Sequence, residues 1–183
     1  AKLEENSGDS TWLSPVWYYR VLADSDSIVR DSYDLFCTSK TGNYTFNNGW
    51  MGVIAAKIRD GKEALRWAKA FLQPGVTLFD DTCFGELVAD FEDFKKTPEV
   101  AAHAAFICNL TQMLLGPDNE KEITVFPAIP MSWEKEGVSF QDLASKGNLL
   151  VSGEFSVDRV QVKIENRSRQ SCVRNLQVRL PKG

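Results

Sequence analysis

The chain carries one histidine, His103, in 183 residues. Any mechanism that needs an imidazole base therefore has a single candidate. Long hydrophobic runs are also missing: none approaches the ~20 residues needed to cross a bilayer, so no membrane span is expected, and no leader pattern is visible from Ala1. Basic runs stop at Lys95-Lys96 and the net charge is −4, which argues against a nucleic-acid surface. The cysteines Cys37, Cys83, Cys108 and Cys172 have no paired metal-type spacing, so no metal is expected. No glycine-rich loop follows a strand pattern, which removes the usual phosphate cradle, and no cofactor is expected. A covalent Ser or Cys nucleophile also lacks support. Cys83, beside Phe84-Gly85, has no histidine near it in sequence, and a buried thiol is the simpler account. Cys37 and Cys108 fall on apolar helical faces and are expected as packed free thiols. Sequons occur at Asn43, Asn109 and Asn166; Asn109 lies inside a helical pattern, where the match is expected by chance.

What is present is ordinary globular composition, 43% hydrophobic and 25% charged, enough for one domain or two small ones. Phe46 to Leu72 reads as two amphipathic helices joined at Asp60-Gly61. Trp50, Val53, Ile54 and Ile58, then Ala64, Leu65, Ala68 and Leu72, recur at helical spacing. Glycine tolerates the left-handed conformation that ends a helix. Trp17 to Phe36 has the same layout 36 residues earlier, with Asp24 on Asp60, Ile28 on Ala64 and Phe36 on Leu72. Helical hairpins repeating at this period suggest a solenoid or an α/α toroid. Helices are expected over 15–39, broken near 24–27, over 48–72, broken at Gly61, and over 98–115. Gly116-Pro117-Asp118-Asn119 then breaks the pattern. Short strands follow: Ile123–Phe126, Leu149–Phe155, Val157–Ile164 with Val160, Val162 and Ile164 on one face, and Leu176, Val178 and Leu180 alternating in the same way. Asn166-Arg167-Ser168-Arg169 is the expected turn before the last strand. The fold class is α+β: a helical hairpin domain over 1–116, then a small antiparallel β domain over 117–183.

Three segments resemble the C-terminal part of six-hairpin (α/α toroid) glycosidases, closest to the α-L-fucosidases of glycoside hydrolase family 95. GWMGVIAAKIRDGKEAL resembles that family's Gly-Trp helix and Asp-Gly hairpin turn, and AAFICNLTQMLLG its last barrel helix. The most specific is the stretch leaving the barrel, where Val125-Phe126-Pro127-Ala128-Ile129-Pro130, Trp133, Gly137-Val138 and Gly147 follow the family's order. The resemblance covers about Trp12 to Ile164. It implies a partial (α/α)6 toroid followed by a β-sandwich-like domain, as the last third of an enzyme acting on carbohydrate in the periplasm or outside the cell. A complete toroid needs about twelve helices, and about five are legible here. The remainder is implied to lie in an N-terminal part of the same enzyme, which would be this chain's first partner.

The segment Val76 to Thr97 is dense in carboxylates. Glycoside hydrolysis uses a protonated acid and an ionised base or nucleophile, and apolar surroundings raise a carboxyl pKa as an acid requires. Asp80, Asp81 and Glu86 are flanked by Phe79, Phe84 and Gly85 and are the catalytic candidates. Asp90, Glu92 and Asp93 are expected to face water. For substrate binding, Trp50 offers a flat apolar face to a sugar and Asn48 both a donor and an acceptor. The competing account is an Asn cap beside a core Trp. Trp12, ahead of the first helix, and His103, at the start of the last, complete the set. In the register of the resemblance Ala101 takes the place of the family's Asp and His103 that of its Asn. This departure argues against a fucosidase proper and for another sugar, or for a carboxylate shifted into the preceding loop. Two other readings compete: a polysaccharide lyase of the toroid type, with His103 or a Tyr as base, and a non-catalytic carbohydrate-binding fragment.

Overall fold

The computed structural model describes residues 27–38, 45–72, 78–79, 83–84, 100–116 and 121–180. Among them the fold is α+β, with helices first and strands mainly after. The helices are α1 (Ser27–Thr38), α2 (Thr45–Lys57), α3 (Gly61–Phe71) and α4 (Val100–Leu114). The expected helix at 48–72 therefore begins at Thr45, and the part of the first expected helix before Ser27 lies outside the described residues.

α1 buries Val29, Ser32, Tyr33 and Phe36, the i, i+3, i+4, i+7 stripe of an amphipathic helix. α2 differs: every residue from Met51 to Ala56 is buried. A helix apolar on all sides belongs at the centre of a packing unit, and α2 packs chiefly on α4 and α3. Gly52 makes the α2–α4 approach possible, because a Cβ there would overlap the side-chain amide of Asn109. Asn109 is fully buried and its Nδ2 donates to the Ala64 carbonyl at 3.1 Å, tying α4 to α3. Its sequon is thus enclosed in the helix packing.

The turn between α2 and α3 departs from expectation. The left-handed residue is Arg59, at φ 66°, and not Gly61. Asp60 is the N-cap, its Oδ1 accepting the Glu63 N–H at 3.1 Å, a standard means of satisfying a first-turn donor. Gly61 is needed for a different reason. A Cβ there would lie 2.5 Å from the Ala128 carbonyl oxygen and 2.7 Å from the Ile129 carbonyl carbon. The buried face of α3 is Gly61, Ala64, Ala68 and Phe71, while Leu72, expected to close the stripe, is 52% exposed. Phe36 therefore matches Phe71 in burial and not Leu72, a one-residue shift in the repeat alignment. The first helix of the earlier copy falls outside the described residues.

Cys37 and Cys108 are not packed as expected: both are free cysteines and exposed as residues, although the Cys37 sulfur itself is partly shielded beside Tyr33 and Arg66. Each sits one position off its helix's buried stripe, beside Phe36 in α1 and Asn109 in α4, so proximity to apolar residues in sequence misled.

The connector after α3 contains a short antiparallel ribbon, β1 (Leu78–Phe79) with β2 (Cys83–Phe84). α4 runs directly into β3 (Leu115–Gly116), which pairs antiparallel with β4 (Glu122–Val125). A one-turn 3-10 helix (Met131–Trp133) leads to an antiparallel sheet of β5 (Val138–Ser145), β6 (Leu149–Ser156) and β7 (Arg159–Asn166). The last strand, β8 (Asn175–Val178), was expected to continue that antiparallel array. It pairs in parallel with β4 instead, Ile123 opposite Leu176 and Val125 opposite Val178. Residues 167–174 are long enough to cross from one sheet to the other, and an Asx turn, with Asn166 Oδ1 accepting the Ser168 N–H at 2.8 Å, starts the crossing.

The two three-stranded sheets share a core built from Ile123, Val125, Phe126, Phe140, Leu149, Val151 and Phe155. Phe126 sits edge-on to Phe140, with ring centroids 5.5 Å apart. Gly153 keeps the space beneath these rings, since a Cβ would come within 2.6 Å of Phe140. A second core joins α1, α2, α3 and the end of α4 and includes Ala128. Trp133 packs against both cores. Val160, Val162 and Ile164 do share a face, in register with Phe155, Gly153 and Val151, but Val160 and Ile164 remain 38% and 40% exposed. β7 is the edge strand of its sheet, and alternation selects a side without guaranteeing a cover.

Candidate functional site

Asp80, Asp81, Glu86 and Trp12 lie outside the described residues. The remaining candidates sit on two helices that pack together. Asn48 and Trp50 are on α2. Because α2 starts at Thr45, Asn48 lies inside the helix and not at its cap, and it is buried to 4% exposure. Trp50 is half-buried. His103 is in the first turn of α4, half-buried, its ring edge-on to Phe71 at 6.4 Å between centroids. Phe71 in turn stacks on Phe106 at 4.8 Å. The imidazole thus forms the end of an aromatic row between α3 and α4.

A polar network links α1 to α3. The Trp67 indole donates to the Tyr33 hydroxyl at 2.8 Å, and that hydroxyl donates to Glu63 Oε2 at 3.2 Å. Arg66 forms an ion pair with Glu63 at 2.7 Å and lies 4.2 Å over the Trp67 ring. Burial, then the nearby Cys37 thiol, pushes the Tyr33 hydroxyl far above its ordinary pKa. Burial likewise raises the Cys37 thiol. Both groups are held in their neutral forms, so neither is an activated base or nucleophile at neutral pH. The network is a helix-to-helix brace.

The junction of the helices with the strands forms a half-open cavity of ≈ 840 Å³. Its walls are the α2–α3 turn with the start of α3, the Phe126–Ser132 crossover, and Arg179-Leu180 after β8. Both Arg59 and Phe126, the wall residues with positive φ (66° and 60°), are held in place locally. The Arg59 N–H donates to the Ala56 carbonyl, and the Phe126 N–H donates to Leu114 at 2.8 Å. Neither Asn48, Trp50 nor His103 lines this cavity. Sequence reasoning singled out the crossover but not the basic residues Arg30, Arg59, Lys62 and Arg179 around it, which are scattered over 150 positions and form no motif. The only signal available was the short Val125–Pro130 run. Among the described residues no group of His, Cys, Asp and Glu is arranged to hold a metal ion, and no helix is long and apolar enough to cross a membrane.

Comparison with protein-family models and with curated proteins found no match.

Proposed function

We propose that the chain is the C-terminal portion of a glycoside hydrolase of the six-hairpin type, cleaving glycosidic bonds in oligo- or polysaccharides by carboxylate acid/base catalysis. In this reading α1 to α4 are hairpin helices of a partial α/α toroid, and the two sheets are its β-sandwich-like companion. The carrying observation is the junction. The Val125–Trp133 stretch, which bears the most specific resemblance, is the segment that seats against Gly61 of α3 and places Trp133 between the two cores. A segment that joins two cores has little freedom to vary in shape, so similarity concentrated there speaks for similar architecture. The activity itself rests on the resemblance and on Asp80, Asp81 and Glu86, with Trp50, Trp12 and His103 as the sugar contacts to be tested; Asn48, enclosed in the helix packing, leaves that set.

The test is a panel of oligosaccharides and polysaccharides, offered to this chain alone and to a polypeptide that also carries the implied N-terminal hairpins. Release of reducing sugar without an unsaturated, ultraviolet-absorbing product is the expected outcome. An unsaturated product would turn the assignment to a polysaccharide lyase, and saccharide binding without turnover to a binding fragment. Absence of both binding and turnover in the longer polypeptide would end the carbohydrate reading.

A further inference from the structure

The cavity at the helix–strand junction carries unbalanced charge. Among the described residues its wall holds four cations, Arg30, Arg59, Lys62 and Arg179, and one carboxylate, Asp60. That carboxylate is already engaged twice: Oδ1 accepts the Glu63 N–H, and Oδ2 accepts Arg30 at 3.2 Å. None of the ion pairs among the described residues includes Arg59, Lys62 or Arg179. Arg179 is half-buried. Its Nη2 donates to Gln177 at 3.0 Å, but its Nε is buried with no acceptor. Like charges gathered against an apolar wall repel one another. Ile58, Leu65, Pro127, Ile129 and Pro130 form that wall.

An oxyanion relieves that repulsion. It neutralises Arg59, Lys62 and Arg179, the last through the part of its guanidinium that lines the cavity, since Nε is itself too enclosed to meet a ligand. The start of α3 lies in the same wall, but Asp60 already caps it, so the three unpaired cations carry the case. Size narrows the ligand further. At ≈ 840 Å³ the cavity is far larger than one inorganic anion and falls within the ~300–1,000 Å³ of small-molecule sites. We propose that this cavity binds a small organic oxyanion, a phosphate, sulfate or carboxylate carried on a sugar-sized body. The site stands whether or not the glycosidase assignment does.

Calorimetric titration and thermal melting of the full chain at low ionic strength test it, with glucose 6-phosphate, glucose 6-sulfate and glucuronate as probes. Neutral glucose, inorganic phosphate and inorganic sulfate serve as comparisons. The expected result is a rise in Tm with at least one anionic sugar, abolished in ~0.5 M NaCl, and no response to glucose. The double variant Lys62→Gln/Arg179→Gln should weaken binding at least tenfold. Arg59→Gln, at an exposed turn residue, should weaken it about threefold and guards against misfolding of the double variant. Affinities weaker than about 1 mM for all three anionic sugars would overturn the proposal. So would variants that bind as tightly as the parent. Inorganic phosphate or sulfate binding as tightly as the sugars would overturn the sugar-sized body.

Discussion

At the scale of single residues, glycines and one asparagine set the helix packing. Alanine normally favours a helix over glycine by up to ~1 kcal/mol. At Gly61 the sign should reverse, because the added methyl would meet backbone at Ala128 and Ile129, and backbone cannot swing aside. Gly61→Ala is expected to lower stability by ~1–3 kcal/mol in urea titration; a stabilised variant would mean that the crossover moves freely. Asn109→Ala should cost ~2 kcal/mol or more, since it removes the bond to the Ala64 carbonyl and opens space beside Gly52. Tyr33 gives a pH prediction. Burial raises its folded pKa, so the folded state keeps its proton where the unfolded chain loses it. Its contribution is complete below the unfolded tyrosine value of 10.0 and falls away as pH rises beyond it. Chemical denaturation at pH 8 and at pH 11 should show a loss of stability that is smaller in Tyr33→Phe.

At the scale of elements, the junction and the sheet edge should behave oppositely. Trp133 is only partly buried but touches both cores, so Trp133→Ala should cost ~2–3 kcal/mol. A loss below about 1 kcal/mol would show that the helices and strands are held together elsewhere. On the sheets, Val151 is fully buried at the centre of β6, whereas Ile164, its partner on β7, is 40% exposed. Val151→Ala is expected to cost several times more than Ile164→Thr, which should stay near ~0.5 kcal/mol. Comparable losses would mean that the β7 face is covered in solution. The element pattern itself was legible in sequence where periodicity is long. α1, α2, α3, α4 and β6 fall close to where spacing placed them, while β7 starts at Arg159 and leaves Val157 in the hairpin turn. The β1–β2 ribbon was not, because two-residue strands carry no period. The parallel pairing of β8 was not, because alternation names a face and never a partner.

At the scale of the whole molecule, the decisive experiment concerns the acidic connector. If the proposed glycosidase activity is found, Glu86→Gln should lower kcat ~100-fold or more with the fold intact, the scale of lost acid/base assistance. Undiminished turnover in both Glu86→Gln and Asp81→Asn would reduce the segment to a connector and send the search for the acid and base elsewhere in the enzyme. The candidate site was legible only in part. Asn48 has the right chemistry for a sugar contact, yet it is enclosed in helix packing at 4% exposure. The cavity cations, by contrast, gave no signal along the chain. The sequence by itself determined the α+β order, the position of the helix break and the junction motif, because these depend on local periodicity, capping and close approach within short stretches. Tertiary structure alone decided that Arg59 and not Gly61 turns left-handed, that β8 joins β4, and that Arg59, Lys62 and Arg179 meet around one cavity. Those outcomes depend on which distant backbone lies alongside, and residues far apart in sequence share an electrostatic environment only after the chain has folded.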